Sequence, residues 1–257
     1  MSSLKISNLS KTYPNGVKAL DNVSLEIPNG MFGLLGPNGA GKSSLMRTIS
    51  SLQEADSGSI FLDDLDVFKN PTDLRKVLGY LPQEFGVYPH ITAIQLLDHV
   101  AILKGITNKK ERKELIEYLL DKVNLTEQKN KKVKGFSGGM KQRVGIAQAL
   151  IGNPKLIIVD EPTAGLDPGE RNRFHNLLAS VGEEVIVILS THIVDDVKEL
   201  CSNMAIMNSG QLVYQGTPQK GIDELEGKVW RKMIERNEVE DYKSKYYVIS
   251  DKLIAGK

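Results

Sequence analysis

Residues 31–43 read Met31-Phe32-Gly33-Leu34-Leu35-Gly36-Pro37-Asn38-Gly39-Ala40-Gly41-Lys42-Ser43. A short apolar run meets a glycine-rich turn, and a helix-like stretch follows to Leu52. Gly36 to Ser43 fit G-x-x-x-x-G-K-[ST] with the required strand before and helix after. Glycines let the backbone turn tightly, so that successive N–H groups converge on phosphate oxygens. The helix that follows adds its positive N-terminus. Lys42 is then placed to bridge terminal phosphates and Ser43 to put its hydroxyl on Mg²⁺. A dinucleotide fingerprint, G-x-G-x-x-G, fails here, because counting from Gly39 its sixth position is Ser44.

Outward from this turn, Leu4 to Leu9 and Val23 to Ile27 alternate with period two, and Ser59 to Val67 reads as two strands around Asp63-Asp64. These predict an antiparallel β element near the N-terminus. Met31 to Leu35, Leu156 to Val159 and Val185 to Leu189 are continuously apolar, as strands covered on both faces are. They predict a mainly parallel core sheet. Ile91 to Lys104 and Lys110 to Val123 carry apolar residues at helical spacing. The expected fold is therefore α/β, with a helical subdomain over about residues 84–152 inserted into a sheet-and-helix core. Beyond Thr217-Pro218 the chain turns charge-rich, with the single tryptophan Trp230 and the pair Tyr246-Tyr247. Residues 219–257 are expected to be a separate tail element of unknown role, and 1–218 the main domain. No repeat of roughly 20 to 50 residues recurs.

A second cluster of chemistry follows Leu156 to Val159. Asp160-Glu161 places two carboxylates at the edge of the buried sheet, where open α/β proteins bind ligands. Asp160 is suited to hold Mg²⁺ through water, and Glu161, one residue on, to polarise an attacking water. An acidic pair after a strand is by itself usually a solvated loop, and the phosphate cradle upstream changes that reading. His192 follows the strand ending at Leu189-Ser190-Thr191 and could hydrogen-bond a terminal phosphate, although a lone histidine there is more often structural. Gln83, after the strand-like Val77 to Leu81, offers an uncharged amide to the ion or its water; a plain polar loop residue fits the spacing equally.

Composition bounds the rest. Hydrophobic residues are 40% and charged residues 25% of the 257, which excludes a disordered or fibrous chain. A formal net charge of +1 gives no global field for nucleic acid or an anionic bilayer, and no nucleic acid partner is expected. The one cysteine, Cys201, cannot form an internal disulfide and fits a reducing compartment. The N-terminal residues lack the basic-then-apolar order of a signal peptide, so a cytoplasmic protein is expected. No apolar run approaches the roughly 20 residues needed to cross a bilayer, so any membrane role would need a partner.

Taken in order, the cradle, Gln83, Ser137-Gly138-Gly139, Asp160-Glu161, Asp167 and His192 resemble the ATP-binding cassette ATPases, over about Leu4 to Pro218. The segment Phe136-Ser137-Gly138-Gly139-Met140-Lys141-Gln142-Arg143 is similar to that family's signature motif. Physically it is a helix N-terminus with Ser137 as cap and two glycines exposing N–H groups, anchored by Val144, Ala147 and Ile151. The resemblance implies a P-loop NTPase core that binds ATP and Mg²⁺ and hydrolyses ATP. It implies nucleotide contacts at Tyr13, as the aromatic on adenine, at residues 36–44 (Gly36, Pro37, Asn38, Gly39, Ala40, Gly41, Lys42, Ser43, Ser44), and at Ser137, Gly138, Gly139 and Asp167. Ser43, Gln83 and Asp160 are the implied metal ligands; Glu161, His192, Lys42 and Gln83 the catalytic set. The signature departs from its commonest form at Phe136, for leucine, and Met140, for glutamine. Met140 keeps the backbone donor and loses an amide, which implies a modest change in dimer affinity.

Two subunits of that family sandwich two ATP molecules, with Ala164-Gly165-Leu166-Asp167 crossing between them. Because this chain carries both phosphate loop and signature, a homodimer is favoured, with a heterodimer open. Gly79 to Pro89 resembles bacterial exporter-type cassettes with separate membrane subunits, and Phe85 to Tyr88 is expected to meet the membrane subunit. The implied function is to power transport from the inner face of the membrane. Two other readings stay open. A soluble cassette ATPase acting on ribosomes, DNA or cofactor assembly is opposed by the lack of tandem cassettes and coiled-coil insertions. A regulator without turnover is opposed by an intact set of phosphoryl-transfer residues.

Overall fold

A computed structural model describes residues 2–83, 86, 90–163, 166–182 and 185–252. By contacts it divides into two units, Met1–Gly221 and Ile222–Lys257.

In the first unit the period-two segments form β1 (Ser3–Thr12) and β2 (Lys18–Pro28). After them come β3 (Gly30–Leu35) and α1 (Lys42–Ile49). A further pair, β4 (Ser57–Leu62) and β5 (Leu65–Asp66), completes an antiparallel sheet in the order β2-β1-β4-β5. The turn between β4 and β5 uses Asp63 at φ 53°, a left-handed position that Asp tolerates better than most residues.

The chain continues through α2 (Pro71–Val77), β6 (Leu78–Leu81), α3 (Ala93–Leu103), α4 (Lys109–Lys122) and α5 (Gly138–Ala149). Val77, grouped with a strand in the sequence, instead closes α2. Local chemistry sets the helix starts. Thr92 and Gln95 form a reciprocal capping box on α3, and the Asn108 side chain accepts from the N–H groups of Lys110 and Glu111 on α4. Then follow β7 (Leu156–Asp160), α6 (Pro168–Val181), β8 (Ile186–Thr191), α7 (Val194–Leu200), β9 (Asn203–Asn208) and β10 (Gln211–Gly216). The second sheet has the order β10-β9-β3-β8-β7-β6, with every neighbouring pair parallel except β10 with β9.

Why its central strands β3, β7 and β8 are apolar up to their last residues is visible in where alternate residues point. Phe32, Leu34, Leu156, Ile158, Ile186 and Ile188 pack with the antiparallel sheet and with Leu45 and Ile49 of α1. Ile157, Val159, Val187 and Leu189 face the other way, into a core shared with Leu97 of α3, Leu119 of α4, Val144 of α5 and Phe174 of α6. Each face of the strand period has its own hydrophobic cover, which confines polar residues to the strand ends at Asp160, Ser190 and Thr191.

The helices are tied to the sheet at close range. The Lys104 ammonium, just past α3, donates to the carbonyls of Arg75 and Leu78 at 2.6 Å each, and its burial lowers its pKa from the ordinary value. α5 comes so near β6 that a Cβ on Gly79 would lie 2.2 Å from the carbonyl oxygen of Ala149. Among the described residues no helix is long and apolar enough to cross a membrane.

α8 (Pro218–Asp223) leads into the second unit, where α9 (Val239–Lys245) lies. Within that unit the rings of Tyr242 and Tyr246 stack 5.7 Å apart, and the Lys232 ammonium sits 4.7 Å above the Tyr242 ring. Trp230 is 82% exposed.

Gly79→Ala is expected to force α5 off β6 and cost about 1–3 kcal/mol, the usual penalty of overpacking. Urea denaturation should show the midpoint falling with an unchanged slope.

Candidate nucleotide site

The C-terminal ends of β3, β6, β7 and β8 lie along one edge of the parallel sheet, because all four strands run the same way. That edge gathers the glycine loop, Gln83, Asp160-Glu161 and His192.

The loop is shaped by close approach. A Cβ on Gly36 would fall 2.5 Å from the Met207 carbonyl oxygen, and one on Gly41, at φ 103°, would fall 2.4 Å from that of Ala19. Ala40 N–H donates back to Pro37 O at 3.1 Å, closing the turn. α1 then begins with no side chain capping its N-terminus, which suits the backbone to an anion. The buried Lys42 ammonium donates to the loop's own carbonyls, Gly36 at 2.6 Å and Pro37 at 3.2 Å. Carbonyl oxygens are weak partners for a buried cation, so a phosphate would be a better one.

At the end of β7, Asp160 is only 6% exposed. Burial pushes its carboxyl above the usual range and the adjacent Glu161 charge adds to this, while Lys42 and Arg47 pull it back. The Ser190 hydroxyl beside it also opposes the rise, yet Ser190 Oγ is fully buried and makes no hydrogen bond of good geometry among the described residues. Glu161 takes φ 46°, in the left-handed region. Its N–H donates to Ser190 O at 2.8 Å. Glu161 Oε1 lies 3.1 Å from His192 Nδ1, and its Oε2 lies 3.5 Å from Gln83 Nε2, a loose contact. A carboxylate only accepts, so His192 donates from Nδ1. In this arrangement His192 is turned to Glu161.

Tyr13 lies by the same helix: its hydroxyl bonds Ser44 Oγ and Gln53 Oε1, both at 3.0 Å. The Gln53 amide in turn donates to Ser44 O and Thr48 Oγ1, a contact no sequence motif marks. Ser137 accepts from Met140 N–H at 3.2 Å and so caps α5; the Met140 donor is thereby already engaged. Phe136 is buried in the core beside α5, and Met140 packs against it. Gly139 makes room for Glu170 of α6, whose Oε2 would be 2.3 Å from a Cβ there. Asp167 caps α6 by accepting from Glu170 N–H at 2.9 Å. Among the described residues no hydrogen bond joins Ser137, Gly138 or Gly139 to residues 36–43. Ala164, Gly165 and the segment Phe85 to Tyr88 fall wholly or largely outside the described residues.

The family model described as ABC transporter matches residues 20–164. The chain belongs to the ABC transporter family. It is 39% identical over 203 residues to the ABC transporter ATP-binding protein NatA of Bacillus subtilis (strain 168), covering 78% of this chain and 82% of that one. It is 37% identical over 231 residues to the phosphonates import ATP-binding protein PhnC 2 of Synechococcus sp. (strain JA-2-3B'a(2-13)), covering 84% and 86%. The dimeric post-hydrolysis structure of the ATP-binding cassette MJ0796 bound to ADP and Pi superposes with a TM-score of 0.76 at 28% identity, over 84% of this chain and 98% of that one. As an ABC cassette the protein is an ATP-binding ATPase of the P-loop NTPase fold.

The oxygen donors of this cassette fit a magnesium ion that brings phosphate and water ligands of its own. The Ser43 hydroxyl opens α1, and the Asp160 carboxyl is a buried hard-oxygen donor whose ionisation a dication would favour. Among the described residues no cluster of three acidic, histidine or cysteine side chains could hold a metal alone.

Sequence reasoning overlooked a buried network next to the Asp160-Glu161 turn. Asp196 of α7 is completely buried and receives the Thr163 hydroxyl at 2.6 Å, Arg171 at 2.8 and 2.6 Å, and His175 Nε2 at 2.8 Å. Asp196, four residues beyond His192, belongs to no motif, and only the fold brings its donors together.

A carboxyl whose folded pKa is raised costs stability once ionised, and that cost is relieved as pH falls through the folded value. Asp160→Asn should therefore raise the melting temperature of the nucleotide-free cassette at neutral pH by more than it does at pH 4. Equal shifts at both pH values would contradict the burial argument.

Proposed function

We propose that this cassette hydrolyses ATP at the edge formed by residues 36–44, Gln83, Asp160, Glu161 and His192, and that hydrolysis powers transport through a separate membrane-spanning subunit. The observation that carries the reading is Glu161, bonded to His192 Nδ1 and loosely in contact with the Gln83 amide, at the same sheet edge as the glycine loop. Lys42 leaves its loop carbonyls for the terminal phosphates, and the α1 N-terminus and loop N–H groups bind the same charge. Glu161 accepts a proton from water as the water oxygen attacks the terminal phosphorus and the bond to the ADP oxygen breaks. His192 orients that carboxylate and Gln83 the water. Tyr13, fixed through Ser44 and Gln53, presents its ring to the adenine. Magnesium bound through Ser43, Asp160 and Gln83 would neutralise phosphate charge.

Ser137, Gly138 and Gly139, unconnected to their own chain's loop by hydrogen bonds among the described residues, would complete the site of a second copy, with Asp167 at the crossing. The MJ0796 cassette, which is dimeric, supports this reading. A homodimer then has two complete sites. Residues 1–218 form the cassette in this reading, with 84–152 as its helical subdomain and 219–257 as a tail. It works peripherally at the cytoplasmic face of a membrane. Export is the proposed direction, on the exporter-like sequence Gly79 to Pro89; PhnC 2, an import protein by name, shows that the family as a whole does not fix direction.

Glu161→Gln should leave ATP binding intact while slowing hydrolysis at least about a hundredfold, the contribution expected of a general base. With ATP that variant should elute from size exclusion as a dimer, and elution only as a monomer would overturn the sandwich. Affinity purification of the tagged chain from its own membranes should recover a polytopic protein; recovery of ribosomes or soluble factors alone would overturn the transport reading.

A further inference from the structure

We propose that Asp196 is a positioning residue for hydrolysis: through Thr163 it fixes the backbone carrying Glu161, and through its own helix it fixes the backbone carrying His192. The proposal rests on Glu161 being the group that activates water.

Glu161 sits at φ 46°, which costs a residue with a side chain and persists only where neighbours hold it. Its N-terminal side is held by the bond from Glu161 N–H to Ser190 O on β8. On the C-terminal side Pro162 has a fixed φ, so the next residue acts as a short stiff lever. That residue is Thr163, buried, with its hydroxyl donating at 2.6 Å to Asp196 Oδ2. The other oxygen, Oδ1, takes both Arg171 donors and His175 Nε2. Oδ2 is thus given to Thr163, and the rest of the network anchors the carboxylate itself.

The anchor is rigid. Val197, the next residue of α7, packs against β3 so tightly that a Cβ on Gly33 would lie 2.4 Å from its Cγ1. α7 therefore cannot slide on the sheet without a clash three residues before the phosphate loop. At its start, Ile193 N–H donates to Thr191 Oγ1 at 3.0 Å, which fixes the turn holding His192. The Thr163 bond to α7 on one side and the turn that leads into α7 on the other thus flank the 3.1 Å contact between Glu161 Oε1 and His192 Nδ1. A buried, fully partnered carboxylate is a costly way to join two loops, and hydrophobic contact would serve stability as well. What it adds is a defined geometry.

Thr163→Val deletes the hydroxyl at nearly constant shape and leaves Arg171 and His175 on Asp196. Steady-state ATPase should show kcat falling roughly tenfold to a hundredfold, the penalty of slight misplacement, with KM for ATP within about twofold. Thr163→Ser should restore most of the rate, and in a Glu161→Gln background Thr163→Val should add little further loss. Thr163→Ala, which removes the same hydroxyl and leaves Asp196 with Arg171 and His175, should give the same split should Thr163→Val not fold. Unchanged kcat, a rise in KM alone, failure of serine to rescue, or full additivity with Glu161→Gln would each overturn the proposal. If Glu161→Gln itself hydrolyses at the wild-type rate, the reading of Glu161 fails instead.

Discussion

Everything at the candidate site depends on one constraint, the burial of the parallel sheet on both faces. With the antiparallel sheet and α1 on one side and α3 to α6 on the other, β3, β7 and β8 carry apolar side chains along their length, and their polar residues, Asp160, Ser190 and Thr191, fall at the C-terminal ends. Function is pushed to the strand ends. Because the strands are parallel, the loops leaving β3, β6, β7 and β8 all emerge at one edge, although they come from residues far apart in sequence. The order β3-β8-β7-β6 also interleaves them: the strand leading to His192 lies between those leading to the glycine loop and to Glu161.

At that edge several groups sit in conformations or environments that cost stability. Asp160 is buried against its own preference and raised in pKa, Glu161 is held in a strained backbone conformation, and the buried Lys42 donates its hydrogen bonds to loop carbonyl oxygens. Each becomes reasonable when an anion and a hard cation are expected there. Asp196 shows the opposite economy, since all of its capacity to accept is met by Thr163, Arg171 and His175.

The signature helix follows a different logic. α5 is fixed by apolar packing through Val144, Ala147 and Ile151, and by the close contact of Ala149 with Gly79. Its N-terminus is formed by local means alone, a serine cap and two glycines, and joins no other part of the phosphate site by hydrogen bonds among the described residues. Helix position is set by the core, while the character of its end is set by three residues.

Most elements were legible in local sequence patterns, with an exception such as Val77, which closes α2 and not a strand. Period-two and continuously apolar runs distinguished the antiparallel sheet from the parallel one, since each reports how many faces are covered. The glycine loop, the Asp160-Glu161 pair, the Ser137 cap and the order of motifs were legible because each is a local pattern with a local physical cause. Tertiary structure alone decided what those side chains meet. That His192 turns to Glu161, that Tyr13 is pinned to Ser44 and Gln53, and that Asp196 gathers Thr163, Arg171 and His175 could not be read from spacing. The partners stand apart in the chain and share no periodicity; their meeting depends on strand order and on the close packing of α7 against β3, which are properties of the whole core.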